Sequence, residues 1–346
     1  MKIARFRGFE EGFVIEEKPR PAPSDDEVLI RVKCVAVSGT DVYRFRKYDN
    51  PTVMPFKDGD TPGHEAVGIV EEVGRKVKSL KEGERVVVQP FWGCGKCDNC
   101  KKGRENFCPS IQAFGFHIPG VFSEYIVARE DIALNFNDEI DFEEALPTHH
   151  MAVNLYGLKS SGIDLQSVNT AAVFGTGNLG LLMVMQLKAL GIPKIFAVDI
   201  DESRLAIAKK LAGSVTINAS ISKPDEEIRR QTDGIGTDIA IELAGGNAPT
   251  LDPALDSLRK GGTYIALAVR GMEDGLNFRK ILSKSLRVQG SSTHTIKEMK
   301  DCLQMIEQRS VDTKEIITHR FKFDEINDAF NCRADDPTSL YVVVDI

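Results

Sequence analysis

No stretch of the 346 residues approaches the ~20 consecutive apolar residues that a membrane-spanning helix needs. The opening Met1-Lys2-Ile3-Ala4-Arg5-Phe6-Arg7 lacks the apolar segment and cleavage site of an export signal. An excess of positive charge is missing as well. The 44 Lys and Arg against 51 Asp and Glu leave a net charge of −7. That argues against nucleic acid or an anionic membrane as the main partner. Internal repeats and low-complexity segments are also lacking; Pro21-Ala22-Pro23-Ser24 is only a short turn. The expectation is a cytoplasmic protein. Its 42% hydrophobic and 27% charged residues fit a soluble globular chain, long enough for two domains of about 100–150 residues each.

Cysteine is scarce and odd in number, at seven. Cys34, Cys302 and Cys332 are scattered and read as small, buried or partly buried fillers. The other four form Cys94-x2-Cys97-x2-Cys100-x7-Cys108. In a reducing compartment such clustering points to metal rather than disulfides. Four thiolates suit tetrahedral Zn²⁺, and a complete sulfur shell leaves no open position, so the site is structural. Gly93, Gly95 and Gly103 supply turns, and Lys96, Lys101 and Lys102 offset the negative charge. An iron–sulfur cluster or four free thiols are the alternatives.

The first part of the chain reads as short strands, 27–37, 66–74 and 84–89, punctuated by Gly and Pro as in a barrel or sandwich. Near Leu155 the character changes to alternating strands and helices. Strands 170–174, 194–199, 238–242 and 263–267 alternate with helices such as 179–190 and 202–211. This is the pattern of a doubly wound parallel sheet, so the fold class is α/β. After Val288 mixed structure returns, ending in a strand over 340–344.

Gly175-Thr176-Gly177-Asn178-Leu179-Gly180 is a GxGxxG placed between a buried strand and a helix, followed by a second strand ending in Asp199. Gly175 permits the tight turn, Gly177 lets the backbone approach a pyrophosphate, and Gly180 allows close helix–strand packing. The helix N-terminus offers free N–H groups to the phosphates. Asp199 is expected to accept from the adenosine ribose hydroxyls and, with Asp201, to repel a 2′-phosphate, favouring NAD over NADP. Arg204 completes the candidate cofactor-binding set. The alternative is a glycine-rich turn that binds another nucleotide or none.

These features, in this order, resemble the zinc-dependent medium-chain dehydrogenase/reductase family, closest to its sorbitol/polyol and threonine dehydrogenase branch. Pro62-Gly63-His64-Glu65-Ala66-Val67-Gly68, Gly39-Thr40-Asp41, Phe122-Ser123-Glu124-Tyr125, Phe142-Glu143-Glu144-Ala145 and Arg259-Lys260-Gly261-Gly262 carry the likeness. It implies a GroES-like catalytic domain over 1–154 with the zinc lobe at about 93–109. A Rossmann domain over 155–289 follows, and 290–346 completes the catalytic domain. It also implies a homo-oligomer, dimer or tetramer.

The resemblance implies a catalytic zinc as well, but the expected cysteine ligand is replaced by Ser38. His64 and Glu65 remain, and alignment of 142–153 puts His149 at the third-ligand position. Two imidazoles and a carboxylate form a set that holds catalytic zinc or ferrous iron. Thr40 falls where the family places its proton-relay hydroxyl, and Ser38 could hydrogen-bond a substrate hydroxyl. His150 reads as structural; His117, His294 and His319 have no motif context. The expected activity is NAD-dependent oxidation of a secondary alcohol, a polyol or sugar. A metal-free NAD(P)H enone or quinone reductase, and a non-catalytic dinucleotide-binding relative, are the competing readings.

Overall fold

The computed structural model describes residues 1–47, 54–246, 248–268 and 275–346. The chain divides into two compact units, Met1–His149 with Thr295–Ile346, and His150–His294. The expected divisions after 154 and 289 thus shift to 149 and 294. The helix Thr148–Ser160 begins before the first division and carries the chain across it.

The first unit is built on the strand Glu27–Val37. Val28, Leu29, Ile30, Val32 and residues 34–37 are all buried, so the strand is covered on both faces. It pairs antiparallel with Ala66–Val73, with Tyr125–Arg129 and with Tyr341–Asp345, forming the middle of a seven-stranded sheet. Ile317–Lys322 continues that sheet in parallel with Tyr341–Asp345. The helix Ile326–Asp335 places Phe330 against Phe13, with ring centroids 4.5 Å apart. Phe6 and Phe56 join the same cluster. Each such ring, fully buried, contributes roughly 1.5–3 kcal/mol. One pairing positions chemistry. Val35 lies opposite Ala66, and Ala36 N–H donates to Glu65 O at 3.2 Å. The end of the central strand and the His64-Glu65 segment are thereby held side by side.

The second unit is a six-stranded, all-parallel sheet. Its spatial order is Val215–Asn218, Lys194–Asp199, Thr170–Phe174, Thr237–Glu242, Leu258–Ala266, Arg287–Gly290. Successive strands run outward in both directions from Thr170–Phe174, so the order reverses beside it. Ligands bind at the carboxyl ends of the strands at such a switch point. Asp238 pins the start of the central strand. Its carboxylate accepts from Asn169 N at 2.8 Å, Thr170 N at 2.9 Å, Thr170 Oγ1 at 3.0 Å and Arg259 Nε at 2.6 Å. Among the described residues no helix is long and apolar enough to cross a membrane.

Candidate functional site

The glycine motif sits at the switch point. Gly175 has φ +92°, and a Cβ there would stand 2.5 Å from Ala244 N. A Cβ on Gly180 would stand 1.9 Å from Gly175 O, so the helix can approach the strand only because that side chain is absent. Gly177 is the N-cap of helix Asn178–Ala189, and a Cβ there would project into open space. The loop borders a cavity of about 630 Å³, walled also by Val198, Asp199, Arg204 and Leu243. An open backbone facing a cavity at a helix N-terminus fits a pyrophosphate. Asp199 is engaged within the protein. It accepts from Thr176 N at 2.6 Å, Thr176 Oγ1 at 2.9 Å, Ile200 N at 2.8 Å and Asp201 N at 3.1 Å. It therefore shapes the loop as well as facing the cavity. Arg204 Nε lies 3.7 Å from Asp201 Oδ2, while Asp201 Oδ1 caps the helix Glu202–Ala212.

The four lobe cysteines converge, with their sulfurs all within 4.8 Å of one another. Cys97 Sγ is 3.5 Å from Cys100 Sγ and 3.8 Å from Cys108 Sγ. A tetrahedral ion with Zn–S of about 2.3 Å requires sulfur–sulfur edges of about 3.8 Å. A multi-iron cluster, with several atoms between its thiolates, needs a wider ring. Backbone N–H groups of Lys96 and Cys97 pull the Cys94 thiol down to about 6. Desolvation and the neighbouring Cys97 push Cys100 up to about 12. Four sulfurs this close cannot all ionise without a cation among them, so the donor set fits one tetrahedral metal ion.

The third constellation lies in the first unit. His64 is buried and Glu65 fully so. His64 Nε2 is 3.8 Å from Glu65 Oε1, and the His149 ring stands edge-on to His64 with centroids 5.4 Å apart. Burial lowers the His64 pKa, with Asp41 opposing it, so the imidazole is neutral, the form that ligates metals. Burial raises Glu65 to about 8, while a hydrogen bond from Tyr341 acts the other way. A buried carboxyl beside a neutral imidazole fits a cation that would restore its charge. The three side chains approach without closing. Among the described residues, the tight groups of three or more possible ligands are the lobe cysteines and one other, His319, Cys332 and Asp336.

Ser38 has a local job in this structure. It is the N-cap of helix Gly39–Arg46, accepting from Asp41 N at 3.1 Å and donating to Asp41 Oδ2 at 2.7 Å. Its hydroxyl hydrogen is thus committed to Asp41 and not to a substrate. Thr40 is half-buried in the first turn of that helix. His150 is buried in the second unit.

Two residues escaped the sequence reading. Asp41 Oδ2 lies 3.9 Å from His64 Nδ1, and its Oδ1 accepts from Gly63 N at 3.3 Å. The spacing Ser38-x2-Asp41 is a capping-box pattern that could have flagged it. Tyr341 donates to Glu65 Oε2 at 2.6 Å, and nothing in the local sequence signals that.

Family models described as "Alcohol dehydrogenase GroES-like domain" and "Zinc-binding dehydrogenase" match residues 24–138 and 178–308. The chain is 33% identical over 323 residues to sorbitol dehydrogenase of Bacillus subtilis, covering 91% of this chain and 88% of that protein. It is 32% identical over 325 residues to D-xylulose reductase A of Aspergillus niger, covering 91% and 88%. The crystal structure of 2R,3R-butanediol dehydrogenase from Bacillus subtilis matches with a TM-score of 0.88 at 26% identity, covering 100% of this chain and 99% of that one.

Proposed function

The chain belongs to the zinc-dependent medium-chain dehydrogenase/reductase family, an enzyme of the alcohol/polyol dehydrogenase kind, and from that premise we propose that it oxidises the secondary hydroxyl of a polyol, sugar or related alcohol with NAD⁺. The observation that carries this reading is the buried Glu65 carboxyl 3.8 Å from His64 Nε2, with His149 alongside. His64, Glu65 and His149 would hold a catalytic metal. Bound there, the metal supplies Lewis acidity that lowers the pKa of a substrate hydroxyl, and NAD⁺ supplies the hydride acceptor.

The chain's own residues do the rest. Asp41 stands behind His64 Nδ1 and Tyr341 behind Glu65, each orienting a ligand. Ser38 holds Asp41 in place. The Thr40 hydroxyl relays the substrate proton. Gly175, Thr176, Gly177, Asn178, Leu179 and Gly180 receive the pyrophosphate at the helix N-terminus, while Asp199 and Arg204 border the ribose end of the cavity. Asp199 disfavours a 2′-phosphate, which selects NAD over NADP. The Cys94, Cys97, Cys100 and Cys108 lobe would hold a structural Zn²⁺.

The cysteine pattern, four clustered for a metal and three scattered, suits a reducing cytoplasm. The edge strand Arg287–Gly290 and the exposed Phe278 and Leu282 support self-association as a dimer or tetramer. The test is a panel of polyols, sugars, hydroxy-amino acids and simple alcohols with NAD⁺, followed at the nicotinamide absorbance with and without chelator. Polyol turnover that chelation abolishes and Zn²⁺ restores is expected. Enone or quinone reduction that survives chelation would put the metal-free reductase in its place, and no turnover at all would favour the non-catalytic relative.

A further inference from the structure

Away from these sites, His319, Cys332 and Asp336 bring an imidazole nitrogen, a thiol and a carboxylate oxygen within 4.8 Å of one another. His319 lies on the strand Ile317–Lys322, Cys332 on the helix Ile326–Asp335, and Asp336 is that helix's C-cap. Cys332 and Asp336 are four residues apart, and Asp336 N–H donates to Cys332 O at 3.0 Å, so both side chains leave the helix end on one side. The C-terminal helix packs along the strand that carries His319, which completes the cluster.

We propose that His319 Nε2, Cys332 Sγ and Asp336 Oδ2 form a further binding site for a divalent transition-metal ion of the zinc class. It is independent of the reading of the dehydrogenase site. Three features of the cluster support it. His319 Nε2 is 3.4 Å from Asp336 Oδ2. Two ligands of a tetrahedral ion, with Zn–N and Zn–O near 2.0–2.2 Å, lie about 3.4 Å apart.

The histidine is also oriented from behind. Its Nδ1 lies 2.9 Å from Thr318 Oγ1, and that hydroxyl accepts from Leu340 N at 3.0 Å with Tyr341 O at 3.5 Å. With the hydroxyl hydrogen on Tyr341 O, Nδ1–H donates to Thr318, and the Nε2 lone pair points at the cluster. This is how a metal-bound histidine is held. The carboxylate is fixed in the same manner. Asp336 Oδ1 accepts from Thr338 N at 2.8 Å and Oγ1 at 2.6 Å, leaving Oδ2 toward His319.

All three residues are partly exposed, so ions can enter from solvent and a water can fill the fourth position. The mixed nitrogen, sulfur and oxygen donors favour Zn²⁺ or Co²⁺ over Mg²⁺ or Ca²⁺. Binding converts the Cys332 thiol to thiolate and releases its one proton to solvent.

The experiment is a titration of the purified full chain, dialysed free of loosely held metal, with Co²⁺, read by bound metal and by thiolate-to-cobalt absorption. Wild type is compared with Cys332→Ser, His319→Ala and Asp336→Asn. Signal from exchange into the four-cysteine lobe is common to all and cancels in the difference. Wild type is expected to take up one additional equivalent with a thiolate band. Cys332→Ser should lose the band, and each variant should weaken the uptake at least about tenfold. Asp336→Asn, at a partly exposed helix end, keeps the comparison meaningful should another variant fold poorly. Superimposable titrations of wild type and Asp336→Asn, or an extra equivalent that persists in every variant, would overturn the proposal.

Discussion

Tyr341 donates its phenolic hydrogen to Glu65 Oε2 at 2.6 Å, joining residues 276 positions apart. Both are buried, and the bond spans from the last strand of the chain to the segment that carries His64. Tyr341→Phe keeps the ring and removes only the donor. Metal affinity or kcat/KM should fall roughly 10–100-fold with the fold retained, the usual cost of losing a group that orients a ligand. Metal analysis with steady-state kinetics checks it; wild-type values in both would remove Tyr341 from the site.

His149 and His150 are adjacent in sequence, and His149 has its ring beside His64. His149→Ala should lower occupancy of the catalytic metal and depress turnover by at least about a hundredfold, since Lewis-acid activation supplies several kcal/mol. Dinucleotide binding should be unchanged. His150→Ala should spare the metal. The reverse pattern, read by metal content and kcat, would move the third ligand by one residue.

The lobe sulfurs are spaced for one ion. Cys97→Ser should release one equivalent of zinc. It should also lower Tm by at least about 5 °C, since each kcal/mol shifts a domain of this size by about 2–4 °C. A variant that binds no metal at the lobe yet melts like wild type would contradict a structural role.

Asp199 faces the cavity and anchors Thr176 through two hydrogen bonds. Asp199→Gly should therefore raise KM for NAD⁺ about 10–100-fold, because hydrogen bonds to a charged group are worth about 1.5–3 kcal/mol. Its preference for NAD⁺ over NADP⁺ should shrink as the repulsion of a 2′-phosphate disappears. Equal use of both cofactors by wild type would defeat this assignment.

Asp238 gives the second unit an acid sensitivity. Burial raises its pKa, but Arg259, the N–H groups of Asn169 and Thr170, and the Thr170 hydroxyl outweigh that and hold it below the ordinary carboxylate value of 3.8. A depressed folded pKa contributes stability above the unfolded value, and that contribution is lost as pH falls through the folded value. Asp238→Asn should cost about 2–3 kcal/mol near neutrality, and the gap to wild type should close as pH falls below 3.8 and on through the lower folded value. A stability gap that stays constant through that range would show that the charge is not responsible.

Much of this protein was legible from local pattern. The Gly175–Gly180 motif could be placed because a buried strand, a tight turn and a helix start all have short-range signatures. The cysteine lobe was legible because all four cysteines lie in one short segment. Even the position of His149 could be counted from neighbouring residues. Tertiary structure decided what those residues touch. Ser38 spends its hydroxyl on Asp41, and Asp199 spends its carboxylate on Thr176, because the helix and strand ends meet there. Tyr341 reaches Glu65 only through the pairing of the last strand with Glu27–Val37, which itself pairs with Ala66–Val73. His319 and Cys332, unrelated in sequence, come together where the C-terminal helix packs on its neighbouring strand. Composition and periodicity specify which face of an element is buried. Which side chains meet across elements depends on register and packing angle, and those are settled only when the whole core closes.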